Sequence, residues 1–247
     1  FSETFLDSTQ TRNSAVSRAK ELDYTPRSHR AALASVRVTV TPTGDPAYIT
    51  IPKGTRFRGL LNGNRYVFSN REAVTINSNN GFFSAILPIY EGEETTQKHL
   101  IASYDGTLTL QINNQNIDTN TLQIDVRPSV ASSSRENWTK CLDILSVDGT
   151  SKIWYLQQNM YGFFETIFGD DVLGMKPIPG NVVEIKYNVT NGPAANGIRT
   201  FAGIDEIADT SNYTISTLSI SSGGQDPEDI ESIKFNAPRH YTIQNRA

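Results

Sequence analysis

Ala34-Ser35-Val36-Arg37-Val38-Thr39-Val40 is the stretch that sets the fold class. Three valines alternate with Arg37 and Thr39, so one face is apolar and the other polar. A period of two in β-branched residues marks a half-buried strand. Tyr48-Ile49-Thr50-Ile51 repeats the pattern downstream. Pro52-Lys53-Gly54 follows as a turn, with proline pre-set for the first corner. Outward from there, short strands are expected at 55–60, 66–69, 73–77, 82–90, 97–103, 107–112 and 122–126. A second series is expected at 141–147, 153–158, 163–168, 182–189, 197–207 and 213–220. Asn62-Gly63, Asn80-Gly81, Asp105-Gly106, Asp148-Gly149, Asn191-Gly192 and Asn196-Gly197 supply turns. Regular short strands of this kind imply a mainly β chain with antiparallel, sandwich-like subdomains.

Both ends read differently. Residues 1–23 lack Gly and Pro, and Phe1, Phe5, Leu6, Val16, Ala19 and Leu22 form a thin apolar stripe at helical spacing. Tyr24-Thr25-Pro26 ends that helix, because the residue before proline leaves the α region. So thin a stripe calls for a partner helix. At the other end, Gly223-Gly224-Gln225-Asp226-Pro227-Glu228-Asp229-Ile230-Glu231 opens a short C-terminal helix. Asp226 is expected as its N-cap, Pro227 as its first residue, and the acids sit at the positive end of its dipole. The expected organisation is a helical segment over 1–33, β subdomains over 34–128 and 129–222, and a helical start over 223–247. The Ser/Ala-rich stretch 129–134 marks the middle boundary. A chain that opens on Phe1 and ends soon after a helix begins reads as an excerpt of a longer protein.

Composition narrows the function classes. Hydrophobic residues at 37% across 247 positions suit a globular core. The net charge of −4 argues against a basic nucleic-acid face. No apolar run approaches the length of a membrane span. The single cysteine, Cys141, excludes an internal disulfide and a CxxC metal site, and reads as a small buried side chain.

Candidate chemistry resolves into structural roles. Gly169-Asp170-Asp171 and Asp226-Pro227-Glu228-Asp229 lack calcium-loop spacing and read as a turn and a helix start. Glu93-Glu94 and Asp205-Glu206 read as solvated loop acids rather than a glycosidase pair. His29, His99 and His240 are far apart in sequence. No nucleophile-elbow, zinc-protease or phosphate-loop motif occurs. Arg12, Arg18, Lys20, Arg27 and Arg30 make the N-terminal segment basic, without the aromatics of a nucleic-acid arm. Catalytic, cofactor and metal residues are therefore not assigned.

Several segments in order resemble one family. Gly223-Gly224-x-Asp226-Pro227-Glu228-Asp229-Ile230-Glu231 follows a β-rich region. Ala19…Leu22-Asp23-Tyr24-x-Pro26 precedes Ala31-Ala32-x-Ala34-x-Val36-x-Val38. Tyr48 to Phe57 makes a strand, a Pro-x-Gly-Thr turn and a return strand. Tyr66-x-Phe68-x-Asn70-Arg71-Glu72-x-Val74, Phe168-Gly169-Asp170-Asp171 and Tyr187…Thr190-Asn191-Gly192…Ala195-Asn196-Gly197 continue the set. Together they resemble the baseplate J-like family, the wedge proteins of contractile phage tails, and within it most the T-even (myovirus) type. Asp171 departs from the pattern, standing where the family has glycine.

The resemblance implies a non-enzymatic structural component of the virion's tail baseplate, assembled in the bacterial cytoplasm. Its expected partners are other wedge proteins and copies of itself, in a ring around the hub that rearranges when the sheath contracts. It implies no cofactor, nucleic acid, membrane insertion or small-molecule substrate. Phe1, Phe5, Leu6, Arg12 and Val16 are the expected partner-facing residues, because aromatics crowd one helix end with no local core to cover them. The competing reading is a carbohydrate- or receptor-binding β-sandwich of a tail fibre or adhesin. Trp138, Trp154, Tyr155 and Tyr161 would supply its stacking surface.

Overall fold

The computed structural model describes residues 5–44, 46–142 and 144–244. Among them the fold is mainly β, with a helix near each end. The strands are β1 (Leu33–Val40), β2 (Tyr48–Ile51), β3 (Arg56–Leu61), β4 (Asn64–Ser69), β5 (Val74–Asn77), β6 (Phe83–Glu91), β7 (Glu93–Leu100) and β8 (Thr109–Gln111). They continue as β9 (Ile117–Arg127), β10 (Glu136–Lys140), β11 (Ile153–Gln158), β12 (Phe164–Phe168), β13 (Val182–Val189), β14 (Phe201–Gly203) and β15 (Tyr213–Ser222). The helices are α1 (Arg12–Glu21) and α2 (Ile230–Gln244).

The chain divides by contacts into two interleaved units. Unit I is residues 1–28, 95–187 and 227–247; unit II is residues 29–94 and 188–226. These breaks differ from those read in the sequence at 33, 128 and 222. The reason is non-local pairing: β1 pairs along its length with β15, joining Leu33 to Ser222 in one ladder.

Unit II is built on the alternating valines. Its six-stranded sheet runs β14-β3-β4-β6-β1-β15 with antiparallel neighbours. Val36 lies opposite Leu87, Val38 opposite Ala85 and Val40 opposite Phe83. Those valines are buried with Phe57, Phe68 and Ile89 in one core. Phe68 meets Phe201 edge to face, with ring centroids 5.0 Å apart. A separate β2-β5 ribbon adds Ile49 and Ile51 to this core. Gly92 is obligatory in this unit. Its φ is +114°, and a Cβ there would stand 2.4 Å from the Val189 carbonyl oxygen.

Unit I carries most of a seven-stranded sheet in the order β7-β13-β9-β10-β11-β12-β8. One pair is parallel: Thr139 lies beside Ile153 and Lys140 beside Trp154 in β10 and β11. The connection between them is about a dozen residues, the length a parallel crossover requires. This corrects the strand expected at 141–147. Of that segment, Ile144–Ser146 is a 3₁₀ turn, Leu142 and Leu145 point to solvent, and Asp143 lies outside the described residues. β10 went unread because only Trp138 among its five residues is buried. Asp171 has φ +69°, so aspartate holds the left-handed corner where the resemblance places glycine.

The two helices depart from expectation at their starts. α1 begins at Arg12, after a separate 3₁₀ turn at Leu6–Ser8 and a Thr11 N-cap whose side chain accepts the Ser14 N–H. The all-polar stretch before it gives a longer helix nothing to bury. α2 begins at Ile230, four residues beyond the expected Asp226 cap. Asp229 takes the capping role instead, its carboxylate accepting the Ser232 N–H at 2.8 Å. The partner helix that α1 needs is α2 of the same unit. Ala15, Val16 and Ala19 pack on Ile233 and Ala237.

Candidate functional site

Of the expected partner-facing residues, Leu6, Arg12 and Val16 meet at this helix pair. Phe1 lies outside the described residues. Phe5 is 74% exposed. Leu6 packs partly against the helix-pair core, and Val16 is buried within it. Arg12 donates from Nε to the Glu228 carbonyl oxygen at 3.1 Å and from Nη2 to Gln158 Oε1 at 3.2 Å. Leu6, Arg12 and Val16 thus come together in holding the first turn and α1 in place, while Phe5 faces solvent.

The centre of this arrangement is Glu228, a residue read only as a helix-dipole acid. It is 2% exposed. Its carboxylate accepts from Tyr24 Oη at 2.9 and 3.0 Å, the Arg27 backbone N–H at 3.0 Å, Ser232 Oγ at 2.7 Å and Asn236 Nδ2 at 2.7 Å. The N-terminal segment and α2 are therefore clasped through one buried anion. Burial alone pushes the Glu228 carboxyl up; the Arg27 N–H and the Asn236, Ser232 and Tyr24 donors outweigh it and hold the group below its ordinary value. The Tyr24 hydroxyl is pushed up to about 12, first by burial and then by the hydrogen bond and charge of Glu228. A signal for the site was present in the sequence. Glu228, Ser232 and Asn236 recur every four residues, which places them on one helix face. On α2, Phe235 and Tyr241 remain exposed, and the Arg239 guanidinium sits 3.4 Å over the Phe235 ring.

A second buried anion braces the sheet of unit I. Glu184 on β13 is 1% exposed and is met by Arg127 at 3.1 Å, Arg135 at 2.9 Å and Lys98 at 3.5 Å. Two residues along the strand, Lys186 pairs with Asp125 at 2.7 Å. Burial raises the Glu184 carboxyl, and the Arg135 and Arg127 hydrogen bonds more than reverse that, leaving it below its ordinary value.

The other chemical candidates sit in structural roles. Asp170 caps its turn by accepting the Val172 and Leu173 N–H groups, and Asp171 accepts that of Lys176. Asp205 holds Arg56 through a two-pronged ion pair. His29 is 3.9 Å from Asp226, burial lowers the His99 pKa beside Gln97, and His240 stacks edge-on to Tyr24 at 5.6 Å. Among the described residues, no group of three His, Cys, Asp or Glu side chains is placed to hold a metal. No helix among them is long and apolar enough to cross a membrane. Trp138 and Trp154 are each 3% exposed, which leaves neither ring a face for a sugar. Tyr161 is exposed, and Tyr155 is half-buried.

Fold and site together define a β-rich structural module with a clasped helix pair. No protein-family model matches the chain. It is 29% identical over 261 aligned residues to baseplate wedge protein gp6 of Enterobacteria phage T4. The match spans 94% of this chain and 38% of that relative's length.

Proposed function

We propose that the chain is a structural module of a contractile-tail baseplate wedge. In this reading it assembles with copies of itself and with other wedge proteins into the ring around the hub. It takes part in the rearrangement that triggers sheath contraction, and its place is the virion baseplate, built in the host cytoplasm. Its work is binding rather than catalysis, with no cofactor, nucleic acid, membrane or small-molecule substrate. The observation that carries the reading is the similarity to a baseplate wedge protein along 94% of the chain. The helix pair supports it: Glu228 and Arg12 fix its inner side, leaving Phe5, Phe235 and Tyr241 outward. Within the N-terminal set, Phe1 and Phe5 are the proposed contacts. Leu6, Arg12 and Val16 keep that contact in register.

Light scattering on the chain, alone and mixed with the wedge proteins of its phage at micromolar concentration, tests this. A discrete hetero-complex that Phe5→Ser weakens is the expected result. A chain that stays monomeric with every wedge protein overturns it.

A further inference from the structure

The chain carries four Asn-Gly pairs: Asn62-Gly63, Asn80-Gly81, Asn191-Gly192 and Asn196-Gly197. As turn residues they are alike, since Asn and Gly both tolerate positive φ. As chemistry they are not. The backbone nitrogen of such a glycine, with no side chain to hinder it, is placed to attack the side-chain amide carbon of the asparagine before it. The fold decides whether that nitrogen and that amide are free to meet.

Two pairs are tied at both ends. Asn191 donates from Nδ2 to Glu91 Oε1 at 2.6 Å, and the Gly192 N–H donates to Thr190 Oγ1 at 3.0 Å. Asn191 is exposed, so exposure alone does not set its reactivity. Asn196 donates from Nδ2 to the Gly224 carbonyl oxygen and accepts the Gly224 N–H at Oδ1, both at 2.9 Å. The Gly197 N–H donates to the Ser221 carbonyl oxygen at 2.7 Å. A third pair is tied at one end: the Gly81 N–H donates to Ser78 Oγ at 3.2 Å, while the Asn80 amide has no hydrogen bond among the described residues.

Asn62-Gly63 is tied at neither end. It forms the two-residue turn between β3 and β4, where Leu61 lies opposite Asn64. Both residues are exposed, with φ of +51° and +82°. Among the described residues, neither the Asn62 amide nor the Gly63 N–H is hydrogen-bonded. A Cβ built on Gly63 would meet nothing within 4 Å, so the turn has room to form a ring.

We infer that Asn62 is the site at which the folded chain deamidates spontaneously, through a cyclic imide. The Gly63 nitrogen gives its proton to water and bonds to Asn62 Cγ. The Cγ–Nδ2 bond breaks, and Nδ2 leaves as ammonia with a proton returned by water. Water then opens the imide at either carbonyl, which leaves aspartate or isoaspartate. Both products put negative charge on the turn. Isoaspartate also lengthens the main chain by a carbon, and a turn that sets its hairpin's register cannot absorb that without shifting the Leu61–Asn64 pairing. The inference is independent of a baseplate role, so the two fail separately.

The test is peptide mapping by mass spectrometry on the whole folded chain, held in mildly alkaline ¹⁸O-labelled water so that each new acid carries the label. The expected result is conversion at Asn62 first, with isoaspartate among the products, and slower conversion at Asn80. Asn191 and Asn196 convert slower than Asn62 by roughly ten-fold or more, because hydrogen bonds must first be released at both ends. In guanidinium chloride the four rates draw together, which assigns the order to the fold. Asn62→Ser removes the fastest conversion and leaves the other three. Faster conversion at any other of the four pairs overturns the inference. So do four equal rates in the folded chain, aspartate without isoaspartate at Asn62, or an unlabelled Asn62 under conditions that label the unfolded chain.

Discussion

Removing the buried carboxylate of the helix clasp is the most telling perturbation. Glu228→Ala leaves four groups without their acceptor: Tyr24 Oη, the Arg27 N–H, Ser232 Oγ and Asn236 Nδ2. Hydrogen bonds to a charged group contribute about 1.5–3 kcal/mol each, but the partners are only part-buried and some regain water. The net loss expected is about 3–4 kcal/mol, in the range for breaking a buried charge network. Urea unfolding of unit I, followed by the fluorescence of Trp138 and Trp154, measures it. The acid limb gives a second reading. Glu228 has a folded-state pKa below its ordinary 4.5. Its contribution is then fully present above pH 4.5 and is lost as the pH falls through the lowered folded value. Glu228→Ala removes that share of the acid loss, so the variant and the parent converge as the pH drops. A loss under about 1 kcal/mol at pH 7, or two curves parallel down to low pH, refutes the clasp.

Three further outcomes follow from the same geometry. Glu184→Ala leaves Lys98, Arg127 and Arg135 facing one another, and a loss of about 2–3 kcal/mol is expected in urea unfolding, reduced by added salt because Lys98 and Arg135 are exposed. Gly92→Ala combines a φ of +114° with a clash on the Val189 carbonyl, whereas Gly106→Ala meets a φ of +74° in open space; thermal unfolding should show the first costing several-fold more than the roughly 1 kcal/mol of the second. Asp171→Gly relieves a left-handed residue but removes the acceptor of the Lys176 N–H, so stability should change by less than about 1 kcal/mol, while Asp171→Val should lose about 2 kcal/mol.

What could be read from the chain depended on whether the signal was local. β1 and β6 were legible because one buried face gives strict alternation. β10 was not, since its burial rests on Trp138 alone. The segment around Leu142 and Leu145 has the hydrophobicity of a strand, yet it spans a crossover and leaves both leucines about nine-tenths exposed. The interleaving of the units was out of reach, because the β1–β15 ladder joins residues at opposite ends of the β region. At the site, the thin stripe of α1 pointed to a partner helix outside its own domain, whereas Ile233 and Ala237 of α2, in the same unit, cover it. The role of Glu228 was hidden for another reason. Acids at a helix start are expected for the dipole alone, and only the Tyr24 and Arg27 contacts, some 200 residues away in sequence, make this one a clasp.

Cross-linking mass spectrometry on purified tails of the phage that encodes the chain tests the central claim most directly. Lys53, Lys98 and Lys152 are each about half exposed and available to the reagent. The expected result is cross-links from these lysines to other baseplate wedge proteins and to a second copy of the chain. Tails that lack the chain's peptides, or cross-links confined to tail-fibre tips, would contradict a wedge role.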